Sequence, residues 1–127
     1  MSYPIDFSAL EKAILSLEEI LKQPMDIFRR DGTIQRFEYT FELTWKMMQR
    51  VLKLQGVEAS SPKQVFRAAW KAHFIENIEE WFRFLEKRNL TAHTYNEDVA
   101  DEVFEAAKIF PTYAKKVLEK LKAEDKI

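Results

Sequence analysis

Ile34-Gln35-Arg36-Phe37-Glu38-Tyr39-Thr40-Phe41-Glu42-Leu43-Thr44-Trp45-Lys46-Met47-Met48-Gln49-Arg50-Val51-Leu52-Lys53-Leu54 carries one apolar stripe, Ile34, Phe37, Phe41, Trp45, Met48 and Leu52. Its 3-and-4 spacing is that of a single helix face. Gly56 follows just past the end, where a left-handed residue commonly closes a helix. A second apolar row, Tyr39, Leu43 and Met47, lies on another side. A helix apolar on two sides is either central in its own bundle or buried between copies. So small a domain offers limited shelter for both rows, so the pattern predicts a homodimer with this helix at the interface.

Four further segments repeat the helical period on either side of this one. Residues 8–22 place Phe7, Leu10, Ile14, Leu17 and Leu21 on one face, with Asp6 or Ser8 as cap and Pro24 as stop. Residues 24–32 read as a connection ending in the turn signal Asp31-Gly32. Ser61, Pro62 and Gln64 form a capping signature for a short helix to about Ala72, with His73 at its C-terminus. Asn77 caps a fourth helix bearing Ile78, Trp81, Phe82 and Leu85. Asn96-Glu97-Asp98 opens a fifth, in which Pro111 predicts a kink and residues 115–126 read as a solvated helix end. Together these predict one domain over residues 1–127: all-α, an up-and-down four-helix bundle with an additional short helix, homodimeric.

Composition agrees with that reading. Among 127 residues, 46% are hydrophobic and 32% charged, with only two Gly and four Pro, a turn-poor composition that favours helices. With no Cys, disulfide frameworks and thiolate metal sites are excluded. No run approaches the roughly 18 apolar residues of a membrane span, and Met1 to Phe7 lack the pattern of a signal peptide. A cytoplasmic location is therefore expected. The formal net charge of −1 gives no support to a free-standing nucleic-acid binder, although a local cleft can still be positive.

The fourth helix ends in Arg88-Asn89-Leu90-Thr91-Ala92-His93-Thr94-Tyr95. Continued at helical spacing, its buried stripe runs through Asn89 and Ala92, with Arg88 and His93 on the flanks. Inward-facing polar groups need either a hydrogen-bonded network or a wet functional cleft. In a regular helix residues five apart are rotated by about 140°, so Arg88 and His93 converge only if the helix distorts within Leu90–Tyr95 or a second copy completes the site. Asn89 and His93, four apart, can share a face and hydrogen-bond. Glu38 and Glu42 share a face of the second helix beside Trp45 and Lys46. They read either as solvated ion-pairing residues or as groups orienting Arg88 or His93. Arg supplies a forked phosphate donor and His a proton exchanged near neutral pH. With Asn89 and Tyr95 they suit a phosphate or nucleotide held without metal; neither metal nor cofactor is expected.

Arg-Asn, three residues, His, one residue, Tyr resembles the motif of the HEPN superfamily of small helical nucleotide- and RNA-associated domains. Arg30 to Lys46, running through Arg36-Phe37-Glu38-Tyr39-Thr40-Phe41-Glu42-Leu43-Thr44-Trp45, resembles the nucleotidyltransferase substrate-binding branch of that superfamily. The resemblance implies a nucleotide- or phosphate-binding subunit that pairs with a separate minimal nucleotidyltransferase, in a two-gene toxin–antitoxin-like system. The chain lacks the Gly-Ser loop and paired Asp residues of a nucleotidyltransferase, so the partner must carry them. The alternative implied by the same resemblance is a metal-independent endoribonuclease. There His93 would be general acid or base, Arg88 would stabilise the phosphorane and Asn89 would orient the phosphate. The partner would neutralise it by adding AMP to Tyr95.

Overall fold

A computed structural model of the chain describes residues 5–125, so Met1 to Pro4 and Lys126 to Ile127 lie outside the described residues. The helices are α1 (Ser8–Leu21), α2 (Ile27–Leu54), α3 (Pro62–Lys71), α4 (Ile78–Asn89) and α5 (Glu97–Asp125), with a 3-10 turn (Leu90–His93) between the last two. Among the described residues there is no strand.

Cross-helix contacts fix the direction of each helix. Arg36 reaches the Ser16 carbonyl and Thr40 the Ala13 carbonyl, so α2 runs antiparallel to α1. Thr91 and Arg88 meet Glu38 and Glu42 in turn, so α4 runs antiparallel to α2. Lys87 pairs with Glu102, while Phe84 meets Tyr113, so α5 runs antiparallel to α4. The long helices therefore go up and down around one core, and α3 lies in the crossover from α2 to α4. Pro111 sits inside α5, which continues through it to Asp125.

All six residues of the α2 stripe are buried. With Phe66, Trp81, Phe84 and Phe110 they form an aromatic centre in which Phe110 stands 4.9 Å from Phe84 and 5.3 Å from Phe37, ring centroid to centroid. The second row is only partly sheltered within the chain. Leu43 and Met47 are half-buried against the core, and the Tyr39 hydroxyl lies 2.9 Å from Ser16 Oγ. The apolar row behind the homodimer expectation is thus half-buried at Leu43 and Met47 and exposed at Tyr39.

Three features differ from the sequence reading. First, Asp31-Gly32 is not a turn. Asp26 is in an extended conformation and accepts the Arg29 N–H at 2.8 Å, so α2 begins at Ile27 and runs through Gly32. A Cβ at position 32 would lie 2.9 Å from Ile20 Cδ1 of α1, so a side chain there would have to displace that methyl group. The same seam buries Thr33, Thr40 and Thr44, whose hydroxyls donate to carbonyls four residues back at 2.6–2.7 Å. Second, Gln64 reaches back to Ser60 N–H at 2.9 Å rather than to Ser61, while Ser61 Oγ accepts from Gln64 N–H. Third, the C-terminal segment is not simply solvated. Around the buried Val117 and Leu121, Lys115 and Lys122 pair with Glu18 and Glu11 of α1 instead of standing free in solvent.

α2 and α3 close in the same way. Gly56 and Val57 donate to Lys53 and Leu52 carbonyls, and His73 and Phe74 donate to Trp70 and Ala69 carbonyls. This pair of bonds requires a left-handed residue at its first position, which is Gly56 (φ 82°) in one case and His73 (φ 65°) in the other. His73 therefore acts through its backbone, where an L-residue is strained. His73→Gly is expected to raise stability by about 0.5–1 kcal/mol, and Gly56→Ala to lower it by about 1 kcal/mol. No atom lies within 4 Å of a Cβ at position 56, so that cost is one of backbone conformation alone. Urea titration of the two variants should give midpoint shifts of opposite sign.

Candidate functional site

The α-helical geometry of α4 stops at Asn89 and tightens into the 3-10 turn. A 3-10 turn holds about three residues per turn instead of 3.6, so the inward face is handed on at spacing three. From Leu85 it passes to Arg88 and Thr91, both half-buried, while Asn89 and Ala92 are exposed. The expectation that Asn89 and Ala92 continue the seam is thereby corrected. Of the two alternatives for Arg88 and His93, a distortion within Leu90–Tyr95 is present.

Arg88 is the anchored member of the motif. Its Nη2 is in ionic contact with Glu42 Oε1, without the alignment of a hydrogen bond, and its Nη1 donates to Asn89 Oδ1 at 3.1 Å. Its guanidinium carbon lies 5.9 Å from the centre of the Phe41 ring. Arg88 Nε is buried and has no hydrogen-bond partner among the described residues. Side-chain exposures of 27% and 30% for Arg88 and Glu42 leave the pair partly screened by solvent. Glu42 Oε2 in turn accepts from Trp45 Nε1 at 3.2 Å and lies 4.0 Å from Lys46 Nζ.

Glu38 holds the next turn of the chain. Its Oε2 contacts the Thr91 hydroxyl, which also lies 2.7 Å from the Arg88 carbonyl oxygen, so one hydroxyl proton serves two acceptors. Glu42 and Glu38 thus grip Arg88 and Thr91. Glu42 is the carboxylate that faces Arg88, and no ion pair or hydrogen bond joins Glu38 or Glu42 to His93 among the described residues. Thr91 had drawn no attention in the sequence; its spacing of three from Arg88 was the available signal.

His93 and Tyr95 are exposed, Tyr95 at 84%. Their rings stand edge to face with centroids 6.0 Å apart. Asn89 accepts from Arg88, and the anticipated bond between Asn89 and His93 is replaced by that contact. The motif therefore divides into an anchored half, Arg88 with Asn89, and a solvent-facing half, His93 with Tyr95.

A clamp missed in the sequence reading fixes the far side of this loop. Arg30, at the start of α2, donates to both Glu97 oxygens at 2.6 and 3.3 Å and to Asp101 at 3.1 Å. The Glu97 hydrogen bond pushes the Arg30 guanidinium further toward its charged form, and the same bond holds the Glu97 carboxyl below the usual carboxylate range. Asn96 Oδ1 accepts the Asp98 and Val99 N–H groups, so α5 is capped immediately after Tyr95. The loop carrying His93 and Tyr95 is tied at one end to Glu38 and at the other to Arg30.

Two concavities are relevant. One, of about 370 Å³, runs between α3 and α4 and is lined by Lys63, Arg67, Phe82, Leu85, Glu86 and the motif residue Asn89. The other, about 260 Å³, lies between Phe74, Trp81 and Tyr113 and is lined by none of the motif. Of the motif residues, Asn89 lines the first, and Arg88 and His93 line neither.

A family model described as nucleotidyltransferase substrate binding protein like matches residues 5–123. A curated Haemophilus influenzae protein named Probable ribonuclease HepT is 28% identical, over 96% of this chain and 95% of its own length. A crystal structure of ttk003001694 from Thermus thermophilus superposes with a TM-score of 0.84 at 35% identity, covering 89% of this chain and 98% of that one. HI0074 from Haemophilus influenzae, described as the fold of a substrate binding domain of a nucleotidyltransferase, gives 0.83 at 28% identity, covering 92% and 99%.

Proposed function

The chain belongs to the nucleotidyltransferase substrate-binding protein family, and from that membership we propose that it is one half of a two-protein, toxin–antitoxin-like system in the cytoplasm. Its partner is a separate minimal nucleotidyltransferase. The chain binds nucleotide or RNA phosphate through Arg88, Asn89 and His93 and presents Tyr95 to the partner. The same residues make it a metal-independent endoribonuclease, a reading favoured by the ribonuclease name of the Haemophilus influenzae relative. One observation carries the proposal: a guanidinium fixed by Glu42 and an exposed imidazole flank a single helix break.

The chemistry requires little else. A ribose 2′-OH attacks the adjacent phosphorus, the O2′–P bond forms and the P–O5′ bond breaks. The products are a 2′,3′-cyclic phosphate and a free 5′-hydroxyl. Arg88 meets the charge on the phosphorane with a forked donor, and Asn89 orients a non-bridging oxygen. His93 transfers the proton at one end of the reaction. Attack and departure each need a proton moved, so a homodimer supplying a second His93 completes the set. No contact joins Arg88 to His93 within one chain among the described residues, which favours such a composite cleft. Lys46 and Glu38 act as positioning residues behind Glu42 and Thr91.

Modification at Tyr95 would silence this cleft. The Tyr95 oxygen attacks the α-phosphorus of ATP, a phosphodiester forms, pyrophosphate leaves and the phenolic proton passes to solvent. The added AMP places a negative charge beside His93, where it repels an RNA phosphate and fills its approach. With labelled ATP and the partner, the parent protein should acquire label and Tyr95→Phe should not. Because Tyr95 is so exposed, its loss should change stability by no more than about 0.5 kcal/mol. Label retained by Tyr95→Phe contradicts the assignment.

A further inference from the structure

We propose that the groove between α3 and α4 is a binding subsite for single-stranded RNA, taking the nucleotides that flank the cleaved bond. This rests on the ribonuclease reading and adds a surface to it. α3 turns Val65, Phe66 and Ala69 into the core and leaves Lys63 and Arg67, one turn apart, exposed along the groove. Neither cation is ion-paired among the described residues, whereas Lys87, Lys115, Lys120 and Lys122 on α4 and α5 all have carboxylate partners. The Arg67 guanidinium lies 5.7 Å from the centre of the half-buried Phe82 ring, an arrangement that leaves its N–H fork available to phosphate.

The groove leads to the motif through Asn89. That side chain lines the groove while its oxygen accepts from Arg88, leaving its N–H₂ group without a partner among the described residues. A strand entering along α3 therefore meets two cations, an aromatic face and an amide before it reaches the anchored guanidinium. Those are the components of single-strand binding: charges that track the backbone and a ring on which a base stacks. Glu86 shares the lining, so Lys63, Arg67 and Glu86 together carry one net positive charge. Such a modest local excess explains how a chain with a formal charge of −1 can take up RNA, and it predicts binding that depends on ring stacking as well as charge. The volume of about 370 Å³ falls within the roughly 300–1,000 Å³ of small-molecule pockets.

The test is fluorescence anisotropy with a 2′-O-methyl oligonucleotide, which cannot be cleaved, across a salt series. Lys63→Glu/Arg67→Glu should weaken binding at least about tenfold. It should also reduce the salt-dependence slope by about 1.4, since each phosphate contact on a single strand contributes about 0.7. Lys63→Gln/Arg67→Gln should show the same direction with a smaller effect, guarding against misfolding of the charge-reversed form. Because binding is read without turnover, this result stands apart from whether the protein cleaves RNA. Unchanged affinity and slope in both variants overturn the subsite. So does RNA binding that persists while capture by the nucleotidyltransferase is lost, which would make the groove a protein-docking face.

Discussion

The purified protein should cleave single-stranded RNA in the presence of EDTA, and His93→Ala and Arg88→Ala should each lower the rate by about 100-fold or more. That magnitude is the lower end of what one positioned acid–base group contributes. The two variants differ in what else they disturb. His93 is exposed and its ring stands beside the exposed Tyr95 ring, so its removal should leave the fold intact and any loss of rate belongs to the chemistry. Arg88→Ala removes the charge facing Glu42 and the contact with Phe41, so it will also lower stability. Arg88→Lys separates the effects. It retains the charge opposite Glu42 but loses the fork that spans two phosphate oxygens, so it should fold like the parent and still cleave poorly. RNA cleavage that survives in His93→Ala would remove the imidazole from the mechanism.

The largest effect on folding is expected at Phe110. Its ring meets Phe37, Phe41, Trp81 and Phe84 at centroid distances from 4.9 to 5.8 Å, and it is fully buried. It thus joins α5 to both α2 and α4 at the centre of the bundle. Phe110→Ala should cost about 3–5 kcal/mol, transfer and cavity terms together. A domain of this size has about 5–15 kcal/mol in all, so the variant should be marginal at 37 °C and lose at least about 10 °C in Tm. Phe28→Ala is the matched control. Phe28 is 83% exposed, and its loss should move the midpoint little. Equal loss in both would mean that the aromatic centre does not dominate stability.

Much of this architecture is legible in the sequence because it depends on local spacing. The stripe from Ile34 to Leu52, the Ser61-Pro62 start and the Asn96 cap each act within a turn or two. What is not legible depends on distant segments. Gly32 resembles a turn signal until Ile20 of α1 is placed against it. Arg30 finds its partners 67 and 71 residues away, and no periodicity reveals such a pairing. Nor does spacing show that the second row divides, Leu43 and Met47 half-buried against the core and Tyr39 exposed with its hydroxyl beside Ser16 Oγ.

The motif is recognisable by its resemblance to a known family, and of the two geometric alternatives for it a helix distortion is present, but its internal division was not legible. Spacing alone pointed Asn89 inward. The 3-10 turn instead hands that face to Arg88 and Thr91, and the choice depends on Glu42 and Glu38 waiting on α2. Such a choice between adjacent polar residues lies in tertiary partners, which a linear pattern does not record.

The most direct measurement is the identity of the RNA ends produced in EDTA, read by mass spectrometry of a short oligonucleotide. Attack by the 2′-OH under Arg88 and His93 predicts 2′,3′-cyclic phosphate and 5′-hydroxyl termini, absent with His93→Ala. Fragments ending in 3′-hydroxyl and 5′-phosphate, or no cleavage by unmodified protein, would contradict it.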